Sequence, residues 1–161
     1  MPAGLTYDSI ATTTLSSNQT SVTFNSISGS YTDLVLVVSA KFSANPSYSG
    51  IIFNGDSGSN YSSVFMRGNG SAASAGSNVN AGQISSGSYS SDFTSEMFHI
   101  NSYSITTNYK TVLYRANQIN DTFGRAGMWR SNSAITSITY QIDTGNILAG
   151  SIFTLYGITA A

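Results

Sequence analysis

Apolar and polar residues alternate with a period of two along most of this 161-residue chain. No stretch of ten residues shows the i, i+3, i+4, i+7 spacing of an amphipathic helix. Val22 and Phe24 alternate with Thr23 and Asn25, as in a half-buried strand. Residues 32–42 contain the unbroken run Leu34, Val35, Leu36, Val37 and Val38, which suits a strand covered on both faces. Ile51, Ile52 and Phe53 end at Asn54-Gly55-Asp56, where Asn and Gly tolerate positive φ. Residues 54–60 therefore predict a hairpin loop before the pattern resumes over 61–67.

In the second half, residues 96–103 place Phe98 and Ile100 on one side and Met97 and His99 on the other. Residues 109–116 alternate Tyr109, Thr111 and Leu113 against Lys110, Val112 and Tyr114. Gly124 and Gly127 interrupt residues 123–129, which predicts a bulged or edge strand. Residues 134–142 and 151–158 complete the set. Between the halves, residues 68–91 change character. Large side chains are nearly absent from Gly68 to Asn78, which predicts a long exposed loop with Ile84 and Tyr89 as its anchors.

Some nine or ten strands separated by Gly, Ser and Asn turns, without a propeller's internal repeat, predict an all-β chain. The expected architecture is an antiparallel β-sandwich, jelly-roll-like. Residues 18–161 form its single domain, and residues 1–17 an N-terminal arm or edge strand.

Composition narrows what such a sandwich does. Only 8% of the residues are charged, against roughly 25% in an ordinary soluble domain. Ten Tyr, eight Phe and one Trp oppose disorder. A net charge of −1 offers no field for nucleic acid or an anionic membrane. Without cysteine there is neither a disulfide framework nor a thiolate metal site. Residues 34–38 form the longest apolar run, too short to span a bilayer. Met1-Pro2-Ala3-Gly4 shows no secretory pattern, so a chain made and used without crossing a membrane is expected.

Few residues invite chemistry. His99 is the sole imidazole, and Glu96, three residues earlier, falls on the opposite face of a strand. That spacing points to a strand histidine with one hydrogen bond rather than a general base with its orienting carboxylate. Asp92 and Glu96 are four apart, and the sparse acids give no paired-carboxylate motif for glycoside hydrolysis. Asp56, within Asn54-Gly55-Asp56-Ser57-Gly58-Ser59-Asn60, could join a Ca²⁺ loop, but one carboxylate is meagre and a plain turn is the simpler reading. Arg115, Arg125 and Arg130, with Asp121 and Asp143 nearby in sequence, could pair across subunits or as exposed ion pairs. Trp129 reads as a core residue or an interface anchor. The tyrosines allow a carbohydrate-binding face, or serve as ordinary strand residues. No catalytic residue, metal ligand or cofactor is expected, and no ligand-binding set can be named.

Two stretches resemble a group of small proteins encoded by tailed bacteriophages. One is Ser9-Ile10-Ala11-Thr12-Thr13-Thr14-Leu15 with Val22-Thr23-Phe24 and Tyr31-Thr32-Asp33-Leu34-Val35-Leu36. The other joins Gly127-Met128-Trp129-Arg130-Ser131 and Ala134-Ile135-Thr136-Ser137-Ile138 to the terminal Gly150-Ser151-Ile152-Phe153-Thr154-Leu155-Tyr156-Gly157-Ile158. Phe53-Asn54-Gly55-Asp56, Asn60-Tyr61 and Arg67-Gly68-Asn69-Gly70 fit the same pattern. The resemblance implies a virion structural β-protein without catalytic residues, on the capsid surface or in a tail or fibre.

The expectation is a non-enzymatic capsid decoration or cement protein. Homo-oligomers, as trimers on local three-fold axes, would straddle the major capsid protein or other virion proteins and reinforce the shell. Residues 2–17 would dock as an arm on an exposed sheet edge. The protein would reside in the virion, assembled in the host cytoplasm, with neither nucleic acid nor membrane as partner. The alternative is a tail- or fibre-associated domain that binds a receptor glycan through exposed Tyr and loop Asn and Ser.

Overall fold

The computed structural model describes residues 6–44, 46, 48–86, 93–117 and 121–159. The first six strands are β1 (Tyr7–Thr14), β2 (Ser21–Phe24), β3 (Asp33–Ala40), β4 (Ser49–Phe53), β5 (Tyr61–Gly68) and β6 (Ala73–Ala81). The remaining six are β7 (Ile84–Ser85), β8 (Thr94–Asn101), β9 (Lys110–Asn117), β10 (Thr122–Trp129), β11 (Ile138–Ile142) and β12 (Ile152–Ile158). They form an eight-stranded sheet, β1-β12-β3-β8-β9-β10-β5-β6, and a four-stranded sheet, β2-β11-β4-β7. Every ladder is antiparallel. The all-β sandwich expected from the periodicity is the fold that forms.

Period-two alternation places the core between the sheets. Leu34, Leu36 and Val38 of β3, Phe98 and Ile100 of β8, and Phe153 and Leu155 of β12 point inward from the large sheet. They meet Ile51 and Phe53 of β4 and Ile138 and Tyr140 of β11. Aromatic rings bridge the sheets: Tyr140 lies 5.2 Å from Phe153 and 6.3 Å from Phe98, and Phe53 lies 5.5 Å from Trp129, between centroids. Within β3, Val35 is buried as the apolar run led us to expect, while Val37 is only partly covered.

Three local expectations are corrected. Residues 68–91 are not one long loop, because β6 and β7 lie within them. Ladder pairing needs backbone groups rather than large side chains, and β6 pairs with β5 along its length. At Gly76 a Cβ would come 2.7 Å from the Phe65 ring, so a larger residue there needs that ring to shift. Ile84 is buried as an anchor; Tyr89 and Asp92 lie outside the described residues. Secondly, β10 is neither bulged nor at an edge. It pairs in unbroken register with both β9 and β5. Gly127 instead makes room for a neighbour, because its Cβ would meet Ile84 Cδ1 at 2.7 Å.

The third correction concerns residues 54–60, which are not a hairpin loop: β4 belongs to the small sheet and β5 to the large one. The turn chemistry is as read, with φ of 53° at Asn54 and 70° at Gly55. However, the Asn54 side chain is committed elsewhere. Its amide donates to Ala134 O at 2.8 Å and accepts from Thr136 N–H at 2.8 Å and Ser137 N–H at 3.1 Å. That clasp replaces ladder pairing over residues 134–137, so β11 begins only at Ile138. Tyr7–Thr14, within the arm or edge strand expected at 1–17, forms β1 at one edge of the large sheet.

Candidate functional site

His99 lies on the outer face of the large sheet, between Val35 and Leu113 in register. Its Nε2 is 3.2 Å from Asp33 Oδ2, while Asp33 Oδ1 accepts the Ser102 N–H at 2.7 Å. Asp33 thereby ties the imidazole to the turn after β8, where Ser102 sits at a φ of 52°. The residues flanking His99 in register are aliphatic.

Glu96 does face the other way, and the interior holds it. Its carboxylate accepts from Tyr140 Oη at 2.7 Å, Tyr114 Oη at 3.4 Å and Thr94 Oγ1 at 3.5 Å. Tyr140, whose phenol pKa is well above the usual value of 10, is held protonated by burial and then by the Glu96 charge. Here a carboxylate links β8 to β11 across the sandwich as a structural tie. Sequence reading set Glu96 aside, although it stands in step with Phe98 and Ile100, and that parity marks it as inward-facing.

Asp56 is a staple. Its Oδ2 accepts the Trp129 indole N–H at 2.7 Å and Asn60 Nδ2 at 2.9 Å, and its Oδ1 accepts the Gly58 N–H at 2.9 Å. Donors thus occupy oxygens that a Ca²⁺ ion would need. The Trp129 bond, foremost, and those from Asn60 and Gly58 hold the Asp56 pKa below the usual carboxylate range. Trp129 is buried in the core with Phe53 and Tyr61. Asp56→Ala strands its indole N–H and is expected to lower stability by about 2 kcal/mol, measured by urea denaturation at pH 7. Because the folded pKa is depressed, this contribution is complete above the unfolded value of 3.8. It fades as pH falls through the folded value, so the gap between wild type and variant should narrow at the acid end.

The basic residues split among unlike roles. Arg67, which sequence reading did not single out, grips Asp121 with two bonds of 3.0 and 2.8 Å. Arg125 is buried, with its guanidinium 5.0 Å from the Phe65 ring centroid and Nη1 donating to Ser63 Oγ at 2.9 Å, rather than in an exposed ion pair. Arg130 donates to Ser59 O and Asn80 Oδ1, Arg115 reaches Met97 Sδ, and Asp143 accepts the Tyr48 N–H. The buried Lys110 donates to the carbonyls of Ile105, Asn108 and Asn132, and desolvation lowers its pKa.

On the same outer face as His99, the part of the large sheet over β9, β10, β5 and β6 is apolar and exposed. Val64, Met66, Val79 and Leu113 are 58%, 70%, 70% and 56% exposed. The ladders align Ser77, Val64, Ala126 and Leu113 in one row across β6, β5, β10 and β9. Val79, Ser62, Met128 and Thr111 form the next. A shallow 570 Å³ depression runs over these rows. It mixes aliphatic side chains with the hydroxyls of Ser77, Ser62 and Thr111 and carries no charge along either row, which suits contact with another protein surface.

Among the described residues the tyrosines build no comparable patch beyond the edge-on pair of Tyr7 and Tyr156, 6.1 Å between centroids. Tyr61, Tyr103, Tyr114 and Tyr140 are buried. The exposed Tyr48 borders a 400 Å³ hollow with Ser57, Gln83 and Gln141, while the exposed Tyr7 sits over a different one with Met97 and His99. No family model, curated protein or solved structure matches the chain.

Proposed function

We propose that this chain is a structural component of a tailed-bacteriophage particle, a decoration protein that binds the assembled shell through the outer face of its large sheet. The aliphatic expanse around Val64 and Leu113 supports this reading most directly. Such a face contributes binding by burial, at about 25 cal/mol per Å² of apolar area before association costs. Binding only to assembled shell protein stabilises the shell by mass action. Glu96, Asp56 and Lys110 are engaged in holding the sandwich, and the phage setting rests on the resemblance of the strand and turn motifs to that group.

Co-sedimentation with purified particles tests the face. Val64→Asp/Leu113→Asp places carboxylates on two exposed positions, so the fold is expected to survive while particle occupancy falls at least tenfold. Undiminished occupancy with an intact fold would rule out this face as the contact.

A second reading, a tail-associated domain that binds glycan, is favoured only by the hollow beside Tyr48. An exposed ring beside Gln141 can stack on a neutral sugar. Glycan-array hits lost in Tyr48→Ala would select that reading over decoration.

A further inference from the structure

We propose that β6 is an interface, pairing antiparallel with β6 of a second copy of this chain to join two large sheets into one. A sheet edge presents unpaired N–H and C=O groups, and natural domains blunt their edges to prevent pairing. Three of the four edges here are blunted. β2 and β7 are only four and two residues long. β1 has a register shift between Ser9 and Ala11 and carries Asp8.

β6 has only one of these protections, a register shift confined to its last residues. It runs nine residues, Ala73–Ala81, with no charged residue and no proline. Its register shift lies opposite Tyr61/Ser62, at the far end, so residues 73–79 pair regularly with β5. Among the described residues no strand covers the other side, and most of its residues are exposed.

The side chains suit a second copy. Ala73, Ala75, Ser77 and Val79 share the outer face, small enough for close approach. Pairing centred on Ser77 would set Val79 of one copy opposite Ala75 of the other. An uncharged strand meets its own two-fold mate without the like-charge repulsion that penalises facing residues. The strand also carries no charge with which to select a foreign partner. In the joined sheet the aliphatic rows through Val64 would run on from one copy to the other. Such an edge closes at two copies, unlike the three-fold arrangement expected from sequence.

This goes beyond the particle-binding reading and does not depend on it. Sedimentation velocity of the full chain across a concentration series tests it. Wild type is expected to shift from monomer to dimer, and Ala75→Lys/Ser77→Lys, with ammonium groups facing across the two-fold, to stay monomeric with unchanged far-UV circular dichroism. Ala75→Thr, a good strand former without charge, is expected to dimerise like wild type. A wild type that is monomeric throughout overturns the pairing and leaves particle binding to its own assay. A dimer that persists in the lysine variant overturns it as well, because the contact then lies elsewhere.

Discussion

Glu96→Ala is expected to lower the unfolding free energy by about 3 kcal/mol, because it strands buried hydroxyls and opens a void. Tyr140 Oη loses its 2.7 Å acceptor and Tyr114 Oη its 3.4 Å contact with the carboxylate, both in the buried core, while Thr94 Oγ1 keeps the Ala40 carbonyl at 3.5 Å. For a chain of this size that loss corresponds to a melting temperature lower by roughly 10 °C. Glu96→Gln keeps the shape and one acceptor, so about 1 kcal/mol is expected. Tyr140→Phe removes the strongest donor, and the double variant Glu96→Ala/Tyr140→Phe should cost less than the two single changes summed. Additive costs would show that the two residues are not coupled, and an Ala variant as stable as wild type would deny Glu96 its role as a tie.

The second large effect is alkaline unfolding. Tyr61 and Tyr140 have phenol pKa values raised above 10 mainly by burial. Below pH 10 both folded and unfolded chains keep these protons. Above it the unfolded chain releases them while the folded chain retains them, so stability falls as pH rises. Each such tyrosine contributes about 1.4 kcal/mol per pH unit, and the pair about 3. The loss grows with pH for as long as the folded chain keeps the two protons that the unfolded chain has released. Lys110 acts in the opposite sense, since its lowered pKa favours the fold as pH rises toward 10.5, and that gain ends there. Tyrosinate absorbance should therefore rise cooperatively with unfolding, and Tyr140→Phe should flatten the dependence by about 1.4 kcal/mol per unit. Gradual ionisation of the whole set near pH 10, without unfolding, would contradict the account.

The period of two was legible because burial on one face leaves its mark on every second residue, as in the alternation of β8 and β9. What escaped was held by groups that leave little periodic trace. β6 is a strand of Ala, Ser, Gly and Asn with a single Val, and its ladder needs no large side chain. Gly127 resembled a strand breaker because the Ile84 side chain that fills its space arrives from the other sheet. The turn at Asn54-Gly55 could be read, but the clasp of Asn54 on residues 134–137 spans some eighty positions and has no local signature.

The same distinction applies to the candidate site. His99 and Glu96 could be placed on opposite faces by counting parity alone. The Asp33 partner of His99 and the Arg67 partner of Asp121 arise from strand neighbours far apart in sequence. The aliphatic outer face is likewise a product of register. Val64 and Leu113 are single residues in separate strands until Ala126 of β10 aligns them.

The central claim is that this sandwich serves by covering and joining protein surfaces. Quantitative mass spectrometry of purified particles, with the major shell protein as internal reference, tests it most directly. A decoration protein should be present at a fixed ratio to the shell protein, in copies that scale with the shell's subunits. A handful of copies per particle, or none, would contradict it.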